Sequence, residues 1–167
     1  MSYIEVDASK AISALQGFGG EFAGEIINNI AARLGKNIFK KAFANLSGSH
    51  DAGPNTWPVP VRTGNLRRSL YLILPSGAGY SMQDKEGGGS SMKKSGKYEA
   101  GPGEAWVGAS AEYAGVIEDG RVYKTQKGFT GSYQRPFLTD PAREFLGLAP
   151  QFAEQELAKG IKKYGLE

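Results

Sequence analysis

The chain has 167 residues, 40% of them hydrophobic, with 20 basic residues against 17 acidic ones for a net charge of +3. This length suits one domain spanning 1–167 with a real core, and the composition excludes a disordered chain. The absence of cysteine excludes disulfides and thiolate-held zinc or iron–sulfur centres, and so mild a charge admits nucleic acid as a partner without requiring it.

The opening "MSYIEVDASK" has no basic start and no apolar core of leader length. No apolar run approaches the ~20 residues that span a bilayer. Synthesis and use in a cytoplasm, or assembly there into something larger, is the expectation, with no membrane partner. Tyr3–Val6 alternates like a short strand. From Ala8 the pattern turns helical: Ile12, Leu15, Phe18, Phe22, Ile26, Ile30, Leu34 and Ile38 recur at steps of three and four, one apolar stripe on a long helix. Gly17, Gly19, Gly20 and Gly24 fall inside it, each unfavourable by up to ~1 kcal/mol against alanine. They predict either a bend near Gly19–Gly20 or close packing against another backbone. Lys36, Lys40 and Lys41 gather toward its far end, where they serve the helix dipole and solubility or form a basic face for DNA.

The stretch "SGSHDAGPNTWPVP", Ser47–Pro60, is rich in turn formers. It holds His50, the lone histidine, read as a solvated loop residue, and Trp57, which anchors the loop either to the body or to a partner. In "VRTGNLRRSL", Val61–Leu70, Thr63 can cap a short helical turn with Leu66 and Leu70 on one side. "YLILP", Tyr71–Pro75, then reads as a strand buried on both faces. Ser76–Gly103 is dominated by glycine, serine and lysine. It reads as a flexible insertion or hairpin tip too poor in apolar surface to order by itself. "AWVGA", Ala105–Ala109, is a second strand. "EYAGVIED", Glu112–Asp119, is a short helix ending at Gly120, a natural C′ glycine. Arg121–Arg135 is a basic arm or hairpin. Asp140 and Pro141 fit the N-cap and first position of a last helix, which Pro150 kinks or restarts. The fold expected is α+β: a long N-terminal helix packed on a small antiparallel sheet, with a C-terminal helix.

Enzymatic readings are thin. A phosphate loop needs a glycine five residues before Gly-Lys and a hydroxyl residue after it; here Ser91 precedes Gly96-Lys97 and Tyr98 follows. Ser90 and Lys93 satisfy a serine–x–x–lysine spacing that chance supplies often, and its partner motifs are missing. Glu118 and Asp119, with Glu112 nearby, offer carboxylates, but neighbours on a helix point apart and make a poor glycosidase pair. Both are also misplaced at a helix C-terminus, unfavourable by roughly 0.3–1 kcal/mol. Solvent compensates them, or an arginine does: Arg67, Arg68, Arg121 or Arg135, from this subunit or the next. No catalytic, cofactor-binding or metal-ligating residue is expected. Basic residues scattered among Tyr98, Tyr123 and Tyr133 suit nonspecific, salt-sensitive contact with nucleic acid, without any complete recognition motif.

Three blocks, "PVRTGNLRRSL" (Pro60–Leu70), "VGASAEYAGVIEDG" (Val107–Gly120) and "RPFLTDPA" (Arg135–Ala142), follow a long N-terminal helix in that order. Together they resemble the neck or tail-completion family of long-tailed bacteriophages, also described as minor tail components. Arg62 stands where that family often has aspartate, Ile117 replaces the usual valine, and an extra residue separates Leu138 from Pro141. The resemblance implies a structural virion protein and not an enzyme. It would sit at the head–tail joint as a homo-oligomeric ring, hexamer or dodecamer, around the DNA channel, and be assembled in the host bacterial cytoplasm. Its partners would be copies of itself, a head-closure or stopper protein, a tail terminator or tail tube protein, and the DNA passing through. A ring requires one patch to meet a different patch on the neighbour. The candidate contact residues are Arg67, Arg68, Tyr113, Glu118, Asp119, Arg121 and Arg135, with Arg67 and Arg68 facing Glu118 and Asp119 across a subunit boundary. Lys85, Lys93, Lys94 and Lys97 are candidates for the DNA channel. The alternative is a nonspecific nucleic-acid-binding accessory protein.

Overall fold

The computed structural model describes residues 2–7, 20–49, 57–59, 64–75, 79–81, 90–92, 100–120, 123–124, 130–131 and 134–165. Among these, α1 (Gly20–Asn45) lies across an antiparallel sheet of five strands: β1 (Ser2–Asp7), β2 (Leu70–Ile73), β3 (Gly79–Ser81), β4 (Ser90–Met92) and β5 (Glu104–Ala109). The spatial order is β1-β5-β2-β3-β4, so β5, late in sequence, is inserted between β1 and β2. A short α2 (Asn65–Arg68) precedes β2, and α3 (Ala114–Asp119) follows β5. β6 (Tyr123–Lys124) and β7 (Thr130–Gly131) pair with each other, and α4 (Thr139–Gly147) and α5 (Ala149–Tyr164) close the chain. This is the α+β arrangement expected from the pattern, a long early helix on a small antiparallel sheet with a helical C-terminus.

Periodicity explains the layering. Phe22, Ile26, Ile30, Leu34 and Ile38 are all buried on one side of α1. Opposite them, the pairs Leu70↔Ala109 and Leu72↔Val107 place four buried side chains on one face of the sheet. The two layers touch at Gly35, where an added Cβ would lie 2.9 Å from the Ala105 Cβ and 3.0 Å from Leu72 Cδ1. Close packing therefore falls on Gly35. At Gly20 and Gly24 an added Cβ would meet nothing within 4 Å, so these two glycines are not contact points within this chain; Gly17 and Gly19 lie outside the described residues. Phe137 and Leu138, fully buried, complete the core from the segment before α4.

Several local expectations shift by a residue or an atom. The lysines near the end of α1 fall short of its last turn, which holds no basic residue, because the helix runs on to Asn45. The dipole interaction fades within one turn, and Lys41 instead faces Glu144 on α4 at 3.8 Å. The N-cap position of α2 is Gly64 (φ 72°), with no side-chain cap bond; Thr63 lies outside the described residues, as does His50. The loop after α1 is tied down by Val59, not Trp57. The Val59 N–H donates to Asn45 O (2.7 Å), Gly48 N–H donates to Val59 O (3.0 Å), and Val59 is buried while Trp57 stays 50% exposed. Part of the glycine-rich tip is ordered: β3 and β4 pair antiparallel and extend the sheet from β2. The exposed edge of β2 supplies N–H and C=O partners, so this pairing needs no apolar surface. The final helix restarts at Leu148, with Pro150 in the first turn of α5, as its ring requires. Among the described residues, no helix is long and apolar enough to cross a membrane.

Candidate assembly surface

Backbone bonds join the described parts of the three sequence blocks. The N–H of Ser110, just past β5, donates to Ser69 O at 3.0 Å, which sets the turn before α3 beside α2. Arg135 N–H donates to Ile117 O at 2.9 Å, which sets the segment before α4 beside α3. Gly120 closes α3 with φ 67°, and a Cβ there would lie 2.5 Å from Gln134 N. Both the left-handed backbone and the close approach require glycine at this position.

Glu118 is the centre of this junction. It is 6% exposed, and its carboxylate accepts from Leu138 N–H at 3.0 Å and from Thr139 N–H at 2.7 Å. These are the first free donors of α4, which opens at Thr139 with Leu138 as N-cap and no cap from its own side chain. A carboxylate at a helix N-terminus meets both unpaired N–H groups and the positive end of the dipole. The puzzle of negative charge at the end of α3 is thereby resolved for Glu118, by a helix and not by an arginine. The expected pairing of Glu118 with Arg67 or Arg68 across a boundary is corrected: both of its oxygens are occupied inside the chain. The start of α4 is corrected too. Asp140 and Pro141 lie within the first turn, where Asp140 faces Arg143 at 3.4 Å, because Glu118 already supplies the capping oxygens.

The other candidate residues are variously presented. Arg67 is half-buried with its guanidinium 5.2 Å from the centre of the Phe43 ring, a cation–π contact that seats α2 on α1. Arg68 is exposed and donates to Asn65 Oδ1 at 2.5 Å. Tyr113 opens α3 and is 42% exposed, and Asp119 is exposed at its end. Arg135 is half-buried. Arg121, Lys85, Lys93, Lys94 and Lys97 lie outside the residues whose side chains are described. Arg67, Arg68 and Tyr113 are thus brought to one end by the Ser69–Ser110 bond. Trp57, which the sequence offered as an anchor to the body or to a partner, sits on a loop fixed to the C-terminal end of α1, the end that also carries Phe43. Trp, Tyr and Arg are the side chains most enriched at the energetic centres of protein interfaces.

Two polar clusters elsewhere escaped the sequence pattern because their partners lie 123 and 138 residues apart. Arg33 Nη1 donates to the buried Glu156 at 3.0 Å while its guanidinium lies 4.2 Å from the Phe152 ring centre, and Lys159 reaches the same oxygen at 2.7 Å. Glu25 accepts from Lys163 Nζ and from Tyr164 Oη, each at 2.6 Å. These bonds hold the Glu25 carboxyl below its ordinary range and push the Lys163 ammonium and the Tyr164 phenol up. Both clusters fasten α5 along α1. Among the described residues, no group of histidine, aspartate and glutamate side chains could hold a metal ion.

Comparison of the chain with protein-family models, with curated proteins and with solved structures finds no match.

Proposed function

We propose that this chain is a structural protein of the bacteriophage head–tail joint, a neck or tail-completion subunit that acts by binding as a homo-oligomeric ring around the DNA channel and links head closure to the tail. One observation carries the reading. The three blocks that resemble that family are separated by 36 and 14 residues, yet they form a single bonded unit through Ser69–Ser110, Ile117–Arg135 and the Glu118 cap. Motifs that fold into one bonded end are what a docking surface would need. Arg68, Tyr113 and Asp119 are exposed there and Arg67 is half-buried, side chains that a neighbouring subunit would meet. Opposite charges on different patches suit the head-to-tail contact of a ring.

The test is charge reversal. Arg67→Glu with Arg68→Glu should leave a folded chain, checked by circular dichroism, while blocking ring formation or tail joining. Normal infectious particles from the double variant would overturn the proposal.

A further inference from the structure

From Ile26 to Asn45, α1 carries Arg33, Lys36, Lys40 and Lys41 and no acidic residue. Two of these cations have partners inside the chain: Arg33 meets Glu156 at 3.0 Å, and Lys41 faces Glu144 at 3.8 Å. Lys36 and Lys40 are exposed, and among the described residues no carboxylate pairs with either. Both precede the last turn of the helix, too far from its end to serve the dipole. Four residues apart, they lie on one side of α1, separated by a rise of about 6 Å. Phe39 and Phe43 repeat the same spacing beside them, half-buried against the core. Arg67 continues the row, its guanidinium 5.2 Å from the centre of the Phe43 ring, again with no carboxylate partner among the described residues.

The residue types indicate what kind of partner meets this row. Lysine is depleted in protein–protein interfaces, whose energetic centres favour arginine, tyrosine and tryptophan. The end that carries Arg67, Arg68 and Tyr113 has that second composition, and the exposed flank of α1 does not. A phosphate backbone rewards each lysine it meets by releasing counterions. Cations clustered along one helix face are the electrostatic footprint of nucleic acid, and from Ile26 onward α1 has no acidic residue to repel a phosphate.

We infer that the exposed flank of α1 contacts the phosphate backbone of duplex DNA through Lys36 and Lys40. The inference rests on the head–tail reading, which supplies the DNA, but it is tested on the purified full-length chain. A mixed-sequence duplex of ~30 base pairs, labelled for fluorescence anisotropy, is titrated across a salt series. Two phosphate contacts contribute about −1.8 to the log–log salt slope for each bound chain, a weakening of about 12-fold between 50 and 200 mM salt. The double variant Lys36→Gln, Lys40→Gln, with its fold checked by circular dichroism, should lose that contribution. Arg67 is left unaltered, so that a lost contact between subunits cannot imitate a lost contact with DNA. A variant with the same charge change at exposed positions of α4 and α5, Arg143→Gln with Lys162→Gln, should keep the slope. Three results would overturn the inference: a parent chain that ignores DNA at low salt, a lysine variant that binds like the parent, or a control variant that loses as much as the lysine variant. If the parent ignores DNA while the lysine variant blocks head–tail joining, the flank docks on an acidic protein surface and the DNA assignment is wrong. Absence of the chain from virions would instead refute the head–tail reading and leave the DNA measurement standing.

Discussion

At the last turn of α3 the Glu118 carboxylate would face the negative pole of its own helix, and it is turned instead onto the two N–H groups that open α4. Hydrogen bonds to a charged group contribute roughly 1.5–3 kcal/mol, and a buried N–H left without an acceptor adds to the loss. Glu118→Gln keeps the shape but offers one acceptor where two are used. It should lower stability by about 2 kcal/mol, read as a reduced urea midpoint at unchanged slope; an unaltered midpoint would mean that the cap is dispensable. A different residue-scale behaviour belongs to Glu25. Its folded pKa lies below its ordinary value through the bonds from Lys163 and Tyr164. Its contribution is therefore complete above the unfolded carboxylate range and is lost as pH falls through the folded value. Lys163 and Tyr164 are raised above 10.5 and 10.0, so their share is present at neutral pH and is lost as pH rises through their folded values. Stability measured against pH should fall at both the acid and the alkaline extreme, and Glu25→Gln should flatten both limbs. Lys163 and Tyr164 are exposed and Glu25 is half-exposed, so solvent and salt screen the effect, and added salt should shrink it.

The helices and strands were largely readable from residue spacing. The stripe from Phe22 to Ile38 marked α1, the apolar runs at Tyr71–Pro75 and Ala105–Ala109 marked β2 and β5, the first of them observed at Leu70–Ile73, and Gly120 marked the end of α3. The contacts between elements were not readable. Which glycine of α1 touches the sheet depends on a rotation about the helix axis that the sequence pattern does not report, and it is Gly35, not Gly24. Two substitutions express the difference. Gly35→Val forces carbon into Ala105 and Leu72, and overpacking of this kind typically destabilises by about 1–3 kcal/mol. Gly24→Ala fills open space in a helix interior and should stabilise by up to ~1 kcal/mol. Thermal unfolding of the two variants should move the midpoint in opposite directions; a shift of the same sign in both would contradict the packing described. The start of α4 was misread for a related reason: a cap normally comes from the adjacent residue, and here it arrives from Glu118, 21 residues before Thr139.

At the scale of the whole molecule, the sequence supplied candidate contact residues and the fold sorted them. Arg67, Arg68, Tyr113 and Asp119 stay at or near the surface, Glu118 is withdrawn into the chain, and Trp57, half-exposed while Val59 holds its loop, keeps the partner alternative that the sequence raised for it. If this surface seats a neighbouring subunit, Trp57→Ala should weaken self-association by at least tenfold, the loss expected of an interface hot spot, in sedimentation of the purified chain or of its ring. It should leave thermal stability nearly unchanged, because Val59 holds the loop. The most direct measurement is electron microscopy of purified virions carrying an epitope-tagged copy of the chain. The account predicts label confined to the head–tail joint, with density there as a closed ring of this subunit. Label elsewhere on the particle, or a chain absent from purified virions, would contradict it.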